Sequence, residues 1–159
     1  LIGDGSFRDT LSNLDKVISF AKSKSVTIED VASVTGAPER NLVEDFILAI
    51  AHNDIEKGYK SIQVAVSQNI DMKIYLKMIL ATLRYALMLR YAPNTKNKIA
   101  ESLSKHDLEF IEGLIKDKPE FITSRTLSIL LEAYQNLRYA FIAELPLELA
   151  LVEILHKGE

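Results

Sequence analysis

At 159 residues, with 48% hydrophobic and 26% charged residues, the chain is long enough for one packed domain with a small appendage and too apolar to be disordered. A formal net charge of -3 argues against a domain that holds nucleic acid on its own, which would show a basic excess or a basic face. The absence of cysteine excludes disulfides, thiolate metal sites and cysteine nucleophiles, and fits a reducing, cytoplasmic setting. Leu1-Ile2-Gly3-Asp4 has neither a basic start nor an apolar run, so it is not a signal peptide. A piece of a longer protein is expected.

Apolar residues recur at three- and four-residue steps almost throughout, the spacing of one helix face. Phe7, Leu11, Leu14, Ile18 and Ala21 mark the first helix, which Ser23-Lys24-Ser25 ends. Thr27 to Asp30 reads as a capping box with Asp in the usual Glu position, opening a short helix to about Thr35. Gly36 supplies its left-handed stop. Pro38 sits where a first helical turn tolerates proline, and Leu42, Phe46, Ala49 and Ile50 form the inner face of a third helix.

Asn53-Asp54 breaks that helix, and Asp54 caps a fourth with Ile55, Tyr59, Ile62 and Val66 inward. Gly58 inside it costs about 1 kcal/mol relative to Ala, so close helix packing is the expected reason for it. Asp71 caps a fifth helix that runs to about Tyr91 and stops at Ala92-Pro93-Asn94. The stretch from Met72 to Ala92 is long enough to cross a membrane, but Lys73, Lys77, Arg84 and Arg90 interrupt it. Lys73, Lys77 and Arg84 fall on one stripe, which predicts a core helix with a thin polar edge.

Residues 95–102 are polar and fit a loop or a short helix. Ser104 with Asp107 opens the next helix, carrying Leu108, Ile111, Leu114 and Ile115, and Lys116-Asp117-Lys118-Pro119 closes it. Thr123 caps a long helix with Leu127, Leu130, Leu131, Tyr134 and Leu137 on its face. The eighth and last helix starts at Pro146 and presents Leu149, Val152 and Leu155. No strand pattern stands out, and the short joints favour antiparallel neighbours. The fold class is therefore all-α, an antiparallel bundle behind a small two-helix piece, with the boundary at Gly36-Ala37-Pro38.

Catalytic chemistry is not visible. There is no Gly-rich phosphate loop and no metal-ligand spacing. His52, His106 and His156 lie far apart near helix ends, where a capping or solvent role is expected. Glu29-Asp30 and Glu44-Asp45 fall where helix starts and solvated faces place acids. Tyr85, Tyr91, Tyr134 and Tyr139 read as core residues with the hydroxyl at the edge rather than as a base-stacking set.

The sharpest chemistry lies at Gly5-Ser6-Phe7-Arg8-Asp9-Thr10-Leu11-Ser12. Gly5 and Ser6 let the backbone enter the helix, and Asp4 or Ser6 can cap it. A helix N-terminus offers free N–H groups and partial positive charge. Arg8 adds a guanidinium that could hold a phosphate as a fork. The alternative is a solvated arginine paired with Asp9 or Asp4.

This segment resembles the sensor-2 segment of the bacterial DNA polymerase III gamma/tau family, whose pattern is Gly-Ser-hydrophobic-Arg-Asp-small-Leu-Ser. Leu14-Asp15-Lys16, Val26-Thr27-Ile28-Glu29-Asp30-Val31 and Thr35-Gly36 continue the match. Near the other end Leu137-Arg138-Tyr139 and Leu145-Pro146-Leu147-Glu148-Leu149-Ala150-Leu151-Val152-Glu153 resemble the end of the family's collar domain. Residues 41–132 agree mainly in helical pattern.

The resemblance implies a division into residues 1–36, the C-terminal part of an AAA+ lid domain, and residues 37–159, a helical collar that joins subunits. It implies a clamp-loader role in DNA replication: holding together the ring that loads the sliding clamp with ATP. Arg8 matches the arginine that contacts ATP phosphate in the intact subunit. The upstream phosphate loop, magnesium-binding acids and trans-acting arginine of the family are not in this stretch. No catalysis and no bound cofactor are therefore expected of it, while the intact ATPase would use ATP with magnesium. Implied partners are further gamma/tau copies and the delta and delta-prime subunits through the collar, with the sliding clamp and primer-template DNA through the whole loader. The helix at 72–91 and the helix from Pro146 are candidate contact surfaces. A replication factor C-like lid and collar, or a free-standing helical adaptor, are the alternative readings. Ser6 before Phe7 and Asp9 after Arg8 favour the bacterial subunit.

Overall fold

The computed structural model describes residues 7–20 and 38–156. These form eight α-helices and two short 3-10 turns, with no strand among the described residues. The helices are α1 (Phe7–Phe20), α2 (Arg40–Ala51), α3 (Ile55–Ser67), α4 (Met72–Tyr91), α5 (Lys96–Ala100), α6 (Lys105–Asp117), α7 (Ser124–Asn136) and α8 (Leu145–Leu155). The 3-10 turns are Pro93–Thr95 and Pro119–Phe121. The capping box at Thr27 to Asp30, the short helix after it and the stop at Gly36 lie outside the described residues.

Local chemistry accounts for the helix ends. The Asp54 carboxylate accepts the Lys57 N–H at 2.9 Å, and Asp71 accepts those of Lys73 and Ile74 at 2.7 and 3.0 Å. Ser104 accepts from the Asp107 N–H at 3.2 Å and Thr123 from that of Thr126 at 3.2 Å. Each such cap is worth about 1 kcal/mol. Asn53 and Asn69 close α2 and α3 with φ of 58° and 55°, a left-handed conformation that asparagine tolerates. The next N–H in each case reaches back into the last turn, Asp54 to Ala49 O at 2.9 Å and Ile70 to Ala65 O at 3.0 Å. Asp54 thus ends one helix with its backbone and starts the next with its side chain.

Two starts differ from the sequence expectation. α2 begins at Arg40 behind Glu39, so Pro38 lies buried ahead of the helix rather than in its first turn. α8 includes Leu145 and carries Pro146 as its second residue. Residues 96–100 settle as the short helix α5.

α4 is the central element. It buries Met72, Tyr75, Leu76, Ile79, Leu83, Ala86 and Leu89 and packs on α2, α3, α6 and α7. Its opposite face carries Lys73 and Arg84, both exposed. No helix among the described residues is long and apolar enough to cross a membrane. Arg90 departs from the polar stripe: its guanidinium donates to the carbonyls of Pro119 and Ile122, the latter at 2.7 Å. It ties the end of α4 to the 3-10 turn before α7.

A three-way polar contact joins α2, α3 and α4. The Tyr75 hydroxyl and Ser61 Oγ each donate to the Leu42 carbonyl at 3.1 Å, and the two hydroxyls are 2.7 Å apart. Both side chains are buried. Phe46 meets the Tyr75 ring edge-on, 6.1 Å between centroids.

The faces of α7 and α8 correct the sequence reading. α7 turns Thr126, Ile129, Leu130 and Ala133 inward and leaves Leu131 50% exposed. α8 buries Pro146, Leu147, Ala150 and Leu151, while Leu149 is 60% exposed. α8 is apolar on nearly every side, so spacing alone does not choose its inner face. Its neighbours α7, α3 and α2 choose it.

Gly58 is where α3 and α8 touch. A Cβ there would lie 2.7 and 2.8 Å from the two Cδ atoms of Leu151, which is fully buried. Gly58→Ala gains about 1 kcal/mol of helix propensity but incurs an overpacking cost of about 1–3 kcal/mol. The expected net result is a destabilisation of about 1 kcal/mol, read as a lower urea midpoint. In a Leu151→Ala background the same substitution becomes neutral or stabilising. A raised midpoint in the unaltered background would show that α8 can back away.

Candidate functional site: Arg8 and an exposed apolar surface

Arg8 lies in the first turn of α1 and is exposed. Phe7, Leu11, Leu14 and Ile18 of the same helix are also exposed, and Val17 is buried but outside the main core. α1 therefore presents its guanidinium and much of its apolar stripe outward. Gly5 and Ser6 lie outside the described residues.

A second concentration of chemistry joins α2 to α6. Ligand atoms of Glu44, His106 and Asp107 all lie within 4.8 Å of one another. His106 Nδ1 is 3.4 Å from Glu44 Oε1, and Arg40 Nε is 3.2 Å from Asp107 Oδ1. Asp107 also accepts from the Ser104 hydroxyl at 2.5 Å. An ion pair with Arg40 and a cap with Ser104 already occupy Asp107. The cluster is a clasp between helices.

Sequence reasoning missed this clasp. By sequence alone His106 reads as a lone helix-end residue and Glu44 as part of an acidic pair. His106 is indeed in the first turn of α6, but Glu44 is partly buried, its side chain 18% exposed. The two are 62 positions apart, and no local pattern links them. Asp45 does face outward, 3.4 Å from Lys57. His52 and His156 are helix C-caps, and the His52 ring lies 2.9 Å from the Leu48 carbonyl.

The tyrosine set divides. Tyr85 and Tyr134 pack partly against the core, whereas Tyr91 and Tyr139 are exposed, the latter by 81%. Tyr139 belongs to an apolar surface at the α7–α8 connection. Phe141 is fully exposed, and Ile142, Leu145 and Leu149 are exposed beside it in sequence. A groove between the two helices is lined by Ile129, Asn136, Tyr139, Leu145, Leu149 and Glu153. Isolated exposed hydrophobics are ordinary, but a contiguous patch marks an interaction surface. The visible signal for it was the run Tyr139-Ala140-Phe141-Ile142 just past a helix end.

The family described as DNA polymerase III subunits gamma and tau domain III matches residues 26–159, which takes in the whole bundle and this surface. The chain belongs to that family. The DNA polymerase III subunit gamma/tau of Mycoplasma genitalium is 26% identical over 120 residues, 76% of this chain and 19% of that protein. The chain thus spans about a fifth of the length of this relative. The resemblance drawn from Arg8 and from the Leu145 to Glu153 run led to the same family.

Within this gamma/tau domain III, Glu44 makes the clasp sensitive to pH. Burial raises its carboxyl above the ordinary 4.5. His106 and then Arg40 oppose that, and Asp107 and Asp45 add to it. A raised carboxylate pKa contributes stability that is fully present below the unfolded value and lost as pH rises through the folded one. Glu44→Gln should remove that fall, flattening the urea midpoint against pH just above 4.5 while leaving helicity unchanged. An identical slope in the variant would show that Glu44 is not its source.

Proposed function

We propose that this chain is the collar of a gamma/tau clamp-loader subunit together with the end of its lid. Residues 1–36 form the lid piece and residues 37–159 the joining domain. Family membership across the bundle carries the reading, and the exposed apolar surface at the α7–α8 connection supports it. The collar packs beside further gamma/tau copies and the delta and delta-prime subunits. The assembled loader engages the sliding clamp and primer-template DNA in the cytoplasm. The chain itself supplies no catalytic group.

Arg8 is the nucleotide-sensing residue of the intact subunit. An exposed guanidinium in the first turn of a helix suits a phosphate on a neighbouring domain: it can donate two parallel hydrogen bonds and stays charged at any physiological pH. ATP with magnesium would be held chiefly by other parts of the subunit, and Arg8 would register whether the terminal phosphate is present. Its contribution is positional, coupling lid angle to nucleotide state.

Two measurements test this. In the full-length subunit Arg8→Ala should lower ATP-dependent clamp loading about tenfold or more, the loss of one charge-assisted contact worth about 1.5–3 kcal/mol. Subunit assembly should be unaffected. Unchanged loading would remove Arg8 from the nucleotide site. Deleting residues 38–156 from the full-length subunit should abolish co-purification with delta-prime, and retained co-purification would assign the joining role elsewhere.

A further inference from the structure

A cavity of about 760 Å³ opens where the start of α4 meets the end of α7 and the connection that follows it. That size falls within the roughly 300–1,000 Å³ of small-ligand sites. Ile70, Leu137 and Ala143 give it apolar wall. Lys73, Tyr134, Arg138 and Tyr139 give it chemistry. Rings, not carboxylates, hold both cations. The Lys73 ammonium lies 5.8 Å from the centre of the Tyr134 ring, and the Arg138 guanidinium lies 5.7 Å from that of Tyr139.

Neither cation forms an ion pair among the described residues. Asp71 is the one acid on the cavity's lining, and its carboxylate caps α4 by accepting from the Lys73 and Ile74 N–H groups. A ring covers one side of a cation and leaves its other N–H groups to donate elsewhere. At an exposed site that contact is weaker than a charge-assisted hydrogen bond to a phosphate, so an arriving anion can share the cation with the ring or take it over. Tyr139 is 81% exposed, which leaves a ring face open to a flat group while Arg138 takes the other. The surroundings limit how long the anion can be. The groove between α7 and α8 shares Tyr139 with the cavity and carries Glu132 and Glu153 on its walls. A nucleic-acid strand or a long acidic peptide running past Tyr139 would meet those carboxylates, whereas a compact anion would not.

We propose that this cavity binds a free nucleoside diphosphate or triphosphate, with the base against Tyr139 and the phosphates on Lys73 and Arg138. Base stacking on an aromatic ring tolerates any base, so the site selects for a phosphorylated nucleoside rather than for one sequence letter. The guanidinium supplies a fork for phosphate oxygens and the ammonium a second point charge. A bound nucleotide fastens the α7–α8 connection to the start of α4. The site uses no residue of α1 and stands whether or not Arg8 senses nucleotide.

The test uses the full-length subunit and a photoreactive azido-ADP, with the point of attachment read by peptide mass spectrometry. Irradiation should label the peptide that carries Tyr139, apart from any label placed elsewhere in the subunit. Lys73→Gln with Arg138→Gln should lower that label by about tenfold or more, the loss expected from removing charge-assisted contacts. Both side chains are exposed, so circular dichroism should show unchanged helicity. Arg8→Ala should leave the label on the Tyr139 peptide as it was, which separates this site from the one assigned to Arg8. Unlabelled ADP should compete at lower concentration than adenosine or inorganic phosphate alone, because base and phosphates each contribute. Three results would overturn the proposal: no label on the Tyr139 peptide at millimolar nucleotide, a label that survives the double substitution, or stronger competition from oligothymidylate than from ADP. The last would make the cavity part of a strand-binding face.

Discussion

The hydroxyl of Tyr75 sets the frame of this domain. It is buried where α2, α3 and α4 meet, donating to the Leu42 carbonyl beside Ser61. Burial pushes its ionisation well above the usual tyrosine range, opposed by the Ser61 hydrogen bond, so it remains a neutral donor. An unpaired hydroxyl in that position would cost about 1–3 kcal/mol, and sliding any of the three helices by one turn would unpair it. Apolar contacts hold the helices together, but this polar contact selects their register. Once α4 is locked, the direction of its outer stripe is locked too.

Charge serves two purposes in the remainder of the bundle. Inside and at the seams it ties elements together. Arg90 fastens the 3-10 turn at Pro119, and Glu44, His106, Asp107 and Arg40 clasp α2 to α6. On the outer faces of α4 and α8 it is segregated by sign instead. Exposed charges add little to stability, whereas their arrangement strongly affects which surface meets which.

The exposed guanidinium of Arg8 and the exposed apolar surface lie on different helices. Arg8 stands at the start of α1, on a helix whose apolar stripe is largely outward. The exposed apolar residues Tyr139, Phe141, Leu145 and Leu149 lie at the α7–α8 connection and on α8.

The local rules of helix formation were legible in the sequence. Asp54, Asp71, Ser104 and Thr123 cap helices as their types and spacings require, Asn53 and Asn69 close them, and Gly58 marks a close approach. These outcomes depend on atoms within a few residues of one another, or on the one property glycine has. The all-α fold and the family also follow from the chain alone. Tertiary packing decided the rest. It chose the inner face of α8, where leucines surround the helix and leave spacing without a preference, and it turned Leu149 outward. It brought Glu44 to His106 across 62 positions and left Tyr139 and Phe141 in solvent. Such facts depend on which surfaces are already taken by neighbours, and a linear pattern carries no record of its neighbours in space.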